Sequence, residues 1–249
     1  MDGALTGPVH TLLDGQVRLR QPAKGLRAGL DAVMLAASVA ARPGDTVLDA
    51  GCGPGGVFLC VLARCPGARV VAVERDPALA ELARENAALN GWAHRVEVLT
   101  GDVADPALRT ALPRCEHAVS NPPYWPGGTA PPEPIRAGAT HGGETGLVPW
   151  ARLLGAVLGR AGRASLVLPA ARLDDGVLAF RKAGLGGIEV MPFWPRAGRP
   201  AKRVLLRARH APRAPLTLLP GLTLHGPDGW TVEADKILKG GGLHWGEGP

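Results

Sequence analysis

The order of elements along the chain predicts an α/β fold, a mostly parallel sheet covered by helices on both faces and closed by one antiparallel hairpin. Three observations carry this. Short runs of Val, Ala and Leu alternate with helical stretches from Thr46 to Ala183, the pattern of strands feeding crossover helices. Successive runs end in a polar or glycine-rich turn. The last two runs, Gly187–Phe193 and Arg203–Ala208, are separated by a loop too short for a crossover helix, so that pair is antiparallel.

Each element has a local reason. The segment from Leu12 to Arg20 ends in alternating apolar and basic residues, a strand or hairpin arm. Leu30–Val39 reads as a buried helix closing before Pro43, and Asp31 in its first turn is either a cap or a ligand-facing group. Strand Thr46–Ala50 runs into Gly51-Cys52-Gly53-Pro54-Gly55-Gly56 and a helix from Val57 to Arg64. Strand Arg69–Val73 ends at Glu74; a helix from Pro77 to Leu89 follows, with Asp76 as N-cap and Asn90-Gly91 as its stop. Strand Arg95–Leu99 ends at Gly101-Asp102, and a fourth strand through His117–Ser120 ends at Asn121. After a loop of about 25 residues come a helix Val148–Arg160, a strand Ala164–Leu168 and a helix Ala171–Ala183. The tail reads as a hairpin of Leu216–Leu219 with Leu222–His225, then a short helix Glu233–Lys239.

Composition sets outer bounds. With 249 residues, 46% of them apolar, and with 35 Gly and 24 Pro, the chain suits one loop-rich domain with additions. We divide it into an N-terminal segment 1–44, a catalytic domain 45–210 and a C-terminal extension 211–249. No stretch approaches the roughly 20 apolar residues of a membrane span, and the start lacks the features of a signal peptide. Cys52, Cys60, Cys65 and Cys115 have neither C-x-x-C spacing nor a nearby His, so they are expected to be reduced packing residues of a cytoplasmic protein that binds no metal. The net charge of +6 and pI near 9.6 favour a polyanionic partner. From Arg196 to Arg213 there are seven basic residues and no acidic one. Protection of a strand edge by positive charge is the bland explanation; nucleic acid is the favoured one.

The chemistry concentrates at Asn121-Pro122-Pro123-Tyr124. Neither proline donates an N–H, so the strand stops there and leaves an amide and a prolyl carbonyl at its end. Two acceptor oxygens followed by a flat ring suit a planar substrate bearing an NH2 group. Such a nitrogen is a poor nucleophile while its lone pair is delocalised; accepting both of its hydrogens favours a more pyramidal nitrogen. Here the sequence resembles the Asn-Pro-Pro-Tyr amino-methyltransferases, which use S-adenosylmethionine. Asp49 with the glycine loop, Glu74, Asp102 and Asn121 fall at four successive strand ends, where open α/β sheets bind ligands. Glu74 suits the ribose hydroxyls of S-adenosylmethionine or of NAD(P). The pattern of acids resembles the Rossmann-like class I methyltransferases, whose seven-stranded sheet has the order 3-2-1-4-5-7-6. That resemblance implies a cofactor site of Asp49, Gly51, Cys52, Gly53, Glu74, Arg75, Asp102, Val103 and Asn121, with Asp49 near the methionine moiety and Asp102 at the adenine amino group. It implies catalysis by Asn121, Pro122, Pro123 and Tyr124, chiefly through positioning. His117 and His141 are not needed as bases, and Trp125 is read as packing.

The flanks narrow the resemblance. Gly15–Pro22, Arg27–Ala32 and Trp194–Arg203 are similar to segments of the tRNA1(Val) adenine-37 N(6)-methyltransferase family. A tRNA adenine is therefore the implied substrate, flipped out to reach the pocket and stacked on Tyr124. Arg196, Arg199, Lys202 and Arg203 would hold phosphates beside it; Arg136 either does the same or is a solvated loop residue. Other readings remain in view. Glutamine N(5)-methylation of a release factor uses the same motif, but that family has a sizeable helical domain where only about 45 residues precede the first sheet strand here. Guanine N(2)-methylation of ribosomal RNA often comes with a duplicated domain. An RNA-binding protein with an inactive fold would not require the acids, and an NAD-dependent oxidoreductase gives the Asn-Pro-Pro-Tyr stretch no role.

Overall fold

The structure, a computed structural model, describes residues 8–22, 29–123 and 146–245. Its centre is a sheet of β3 (Thr46–Ala50), β4 (Arg69–Glu74), β5 (Val96–Thr100), β6 (Cys115–Ser120), β7 (Leu158–Pro169), β8 (Gly186–Trp194) and β9 (Arg203–Arg209). The spatial order is β5-β4-β3-β6-β7-β9-β8, the order expected of the class I methyltransferase fold. β3 to β7 pair in parallel, and β9 lies antiparallel between β7 and β8.

The strands are apolar on both faces, as a sheet covered twice must be. Val47, Val70, Ala72, Val119, Val167 and Leu205 point to one core. Their chain neighbours Leu48, Val71, Val73, Ala118, Leu166 and Leu206 point to the other. Helices α1 (Leu30–Ala37), α2 (Gly56–Arg64), α3 (Pro77–Leu89) and α7 (Val232–Leu238) cover the first face. Helices α4 (Pro106–Ala111), α5 (Val148–Val157) and α6 (Leu173–Lys182) cover the second. Asp76 caps α3, its Oδ1 accepting from the N–H groups of Ala78 and Leu79, as its sequence context requires.

Three expectations need correction. The helix expected to reach Arg160 stops at Val157, and β7 runs from Leu158, far ahead of Ala164; Arg160 and Gly162 are extended because they continue β7 along the edge of β6. α6 starts two residues late, behind a short 3-10 turn at Ala170–Arg172. The hairpin expected of Leu216–Leu219 with Leu222–His225 does not form. β10 (Thr217–Leu218) and β11 (Leu222–Thr223) each pair in parallel with β8, extending the sheet to nine strands. The outer edge of β8 offers unpaired backbone groups, and satisfying them outweighs pairing two short arms with each other.

The amino-terminal hairpin of β1 (Val9–Leu12) and β2 (Val17–Arg20) is held by two asparagines, Asn86 of α3 and Asn90 at its C-cap. Asn90 accepts from the Arg18 N–H at 2.8 Å and donates to the Arg18 carbonyl at 2.7 Å. Asn86, fully buried, does the same for Arg20 and also donates to the Pro54 carbonyl at 2.8 Å. One turn apart on a helix, the two amides stand in for a neighbouring strand. Asn86→Ala should therefore orphan buried backbone groups in the hairpin and the glycine turn. We expect a loss of about 2–3 kcal/mol, read as a melting temperature lower by roughly 5–10 °C.

Candidate functional site

The carboxyl ends of β3, β4 and β6 are level, with Ala50 opposite both Val73 and Ser120. The glycine turn starts there. The Val73 carbonyl accepts from both Gly51 and Cys52 N–H groups, at 2.7 and 3.0 Å. Gly51 has a φ of +68° and sits under the Trp150 ring, 2.4 Å from where a Cβ would be; no other residue fits. Gly53 has a φ of +54° with open space on its Cβ side, so the turn presents bare backbone to the cavity.

The two acids behind the turn are placed differently. Glu74 is nearly buried, and its Oε2 accepts from the Gly53 N–H at 2.9 Å while Oε1 accepts from the Asp76 N–H. Each carboxylate oxygen keeps a further lone pair. Asp49 is 1% exposed, with Oδ2 accepting from the Phe58 N–H at 3.1 Å and Oδ1 without a partner among the described residues. Burial, opposed by the Phe58 hydrogen bond and reinforced by the Glu74 charge, pushes its pKa from 3.8 to about 7.

A cavity of about 570 Å³ opens at the glycine turn, within the usual range of ligand sites; Asp49 and Glu74 lie behind the turn and do not border it. Gly51, Cys52, Gly53, Asn121, Pro122, Lys202 and Arg203 border it, as do Asp31 and His225. Asn121 is carried to its wall by β6, whose last residue, Ser120, donates from Oγ to the Ala50 carbonyl at 2.8 Å. The Asn121 Oδ1 is buried and has no partner among the described residues. Cys52 is in the wall, but burial holds its thiol well above the ordinary range; it is no nucleophile.

Other expected residues lie elsewhere. Pro123 is exposed and does not border the cavity. Arg75 and Asp102 are exposed and Val103 is buried, all outside the cavity wall; Asp102 Oδ1 accepts from the Ala104 N–H. Tyr124, Trp125, Arg136, Arg27 and His141 lie outside the described residues. His117 lies within β6, three residues before its end, its pKa lowered by burial. The basic run is not one patch. Because β9 runs antiparallel, Lys202 and Arg203 stand at the cavity while Arg209 is at the opposite end, and Arg207 is bound to Glu189 at 2.8 Å. Arg203 itself donates from Nε to Asp31 at 3.0 Å. Asp31, in the first turn of α1, borders the cavity. Its pairing with a residue 172 positions away leaves no local signal in the sequence. Trp150 and Ser120 likewise act through neighbours distant in the chain.

Comparison with known proteins agrees with this geometry. A family model described as the methyltransferase small domain matches residues 28–135. Curated tRNA1(Val) (adenine(37)-N6)-methyltransferases of Shewanella amazonensis, Aeromonas hydrophila and Dickeya chrysanthemi are 34%, 36% and 37% identical. The matches cover 73%, 73% and 74% of this chain and 77%, 76% and 73% of theirs. A crystal structure from Agrobacterium tumefaciens, described as a predicted O-methyltransferase, has a TM-score of 0.72 and 30% identity over 86% of this chain and 98% of its own. A Thermotoga maritima O-methyltransferase, at 17% identity and a TM-score of 0.54 over 76% and 68% of the two chains, shares the fold.

Asp49 supplies a pH test. A carboxyl whose pKa is higher folded than unfolded stabilises the protein fully only below its unfolded pKa of about 3.8, and that contribution is lost as pH rises through about 7. Between pH 5 and pH 8 the wild type should therefore lose melting temperature relative to Asp49→Asn, with the gap widening as pH rises. A gap independent of pH would show that Asp49 is ionised throughout.

Proposed function

We infer that this chain, which belongs to the tRNA1(Val) (adenine(37)-N6)-methyltransferase family, transfers the methyl group of S-adenosylmethionine to N6 of the anticodon-loop adenine of a valine tRNA in the cytoplasm. The observation that carries the reading is the buried Oδ1 of Asn121, without a partner among the described residues, on a residue that borders the same cavity as the glycine turn.

The residues present fit the cofactor. Bare backbone at Gly51 to Gly53 permits close approach, Glu74 backs the turn with spare lone pairs, and Asp49 holds an unpaired oxygen beneath it. When bound, S-adenosylmethionine supplies an electrophilic methyl group on a sulfonium. What the chain does is hold the acceptor. Asn121 Oδ1 accepts one hydrogen of the adenine amino group and the Pro122 carbonyl accepts the other. This orients the nitrogen and loosens its lone pair from the ring, and the product ammonium proton can leave afterwards to water. No strong base is required, so the catalytic gain is orientation and the pre-placed acceptors.

An amino group brings two hydrogens to these two acceptors; a hydroxyl brings one. That distinction favours N- over O-methylation here, whatever the solved relative from Agrobacterium acts on. Adenine is preferred to guanine or to a glutamine side chain because the curated relatives named above are adenine enzymes over most of their length. Tyr124, the stacking partner in this proposal, and Pro123 complete the motif.

Asn121→Ala should lower kcat on a valine tRNA transcript by roughly 10²–10³ with the S-adenosylmethionine affinity within a few-fold of wild type. A transcript with inosine in place of the target adenine should accept no methyl group. Transfer to the inosine transcript would show that the acceptor is not the exocyclic amine.

A further inference from the structure

The lip of the cavity carries a second, adjoining pocket of about 490 Å³ that the reading above leaves unused. Arg196, Arg199, Lys202 and His225 border it, and Lys202 and His225 also border the main cavity. His225 comes from the C-terminal extension. It opens the hairpin of β12 (His225–Gly226) and β13 (Gly229–Trp230), and its ring is stacked on Trp230 with centroids 4.2 Å apart. The backbone fixes this pair in place: Leu224 N–H donates to the Trp194 carbonyl at 2.8 Å and His225 N–H to the Pro195 carbonyl at 3.1 Å. Arg196 Nη1 donates to the Gly226 carbonyl at 2.6 Å, joining the basic loop to the hairpin. Trp230 nonetheless stays 43% exposed, although a nearby apolar core was open to residues such as Leu224 and Ile237.

A flat aromatic pair held rigidly beside three cations matches a nucleotide, which joins a flat base to an anionic phosphate. We propose that this pocket seats the nucleotide next to the target adenine, its base stacked on the His225 ring that Trp230 backs from outside the pocket and its phosphate held by Arg199 and Lys202. The proposal rests on the tRNA reading and extends it. Trp230 would be a positioning residue: with the neighbouring base anchored, the flipped adenine arrives at Asn121 in register. Both cations and the aromatic pair are outside the segment expected to bind the cofactor.

The test is steady-state methylation of a valine tRNA transcript by wild type, Trp230→Ala, Trp230→Leu, Trp230→Phe and Arg199→Ala, with S-adenosylmethionine affinity and melting temperature measured on each. Loss of one stacked base predicts a KM for tRNA raised roughly 5- to 100-fold in Trp230→Ala and Trp230→Leu, with cofactor affinity unchanged and Trp230→Phe close to wild type. Arg199→Ala should raise the same KM and flatten its dependence on salt. It carries the test if Trp230→Ala fails to fold. If Trp230→Leu matches Trp230→Phe, or KM is unmoved while only the melting temperature falls, Trp230 is packing and the proposal is overturned. A wild-type enzyme inactive on any tRNA would instead overturn the reading beneath it.

Discussion

The end of β4 holds the glycine turn in shape, and the rest of the site depends on that hold. The Val73 carbonyl takes two N–H groups of the turn, and the Glu74 carboxylate takes a third from Gly53. The Glu74 carbonyl also accepts from Gly101, tying in the end of β5. Apart from Cys52 and Pro54 the turn is glycine, so side chains of its own do little to fix it. Its conformation is set from below by β4, from above by the Trp150 ring, and from the side by Asn86 at Pro54. A backbone pinned at so many points can face a ligand without reorganising when one binds, which lowers the cost of association.

The same layering explains how cofactor and acceptor are brought together. Ser120 ties β6 to the residue before Gly51, so the Asn121 amide and the turn move as one body. The acceptor side is built from a strand end and two prolines, elements that resist local motion. Opposite them, the Asp31–Arg203 pair joins the start of α1 to the start of β9. The cavity is thus closed on one side by contacts made within the central sheet and on the other by an ion pair from distant segments.

Much of this was legible in the sequence because it is written locally. Asp76-Pro77 announces the start of α3, and Asn121-Pro122-Pro123 ends β6 because prolines cannot continue a ladder. Val, Ala and Leu on successive positions of β3, β4 and β6 reveal a sheet buried on both faces. What was not legible depends on partners far apart in the chain. β10 and β11 are two residues each, too short to show any period, and their partner is decided by the open edge of β8. Asn86 looks like an ordinary helix residue and Asn90 like a helix stop until the hairpin they hold is brought to them. The basic run from Arg196 to Arg213 looks continuous along the chain, yet the antiparallel course of β9 sends its two ends to opposite sides of the sheet. The Arg27, Tyr124, Trp125 and Arg136 expectations lie beyond the described residues and stand on the sequence alone.

The central claim is that a Gly-turn cofactor site and the Asn121 acceptor pair together methylate the amino group of a tRNA adenine. It is tested most directly by methyl transfer from labelled S-adenosylmethionine into total RNA from cells lacking this gene, followed by nucleoside analysis of each RNA fraction. The account predicts label in N6-methyladenosine of the tRNA fraction alone. Label in methylguanosine, in ribosomal RNA or in a protein fraction would contradict it.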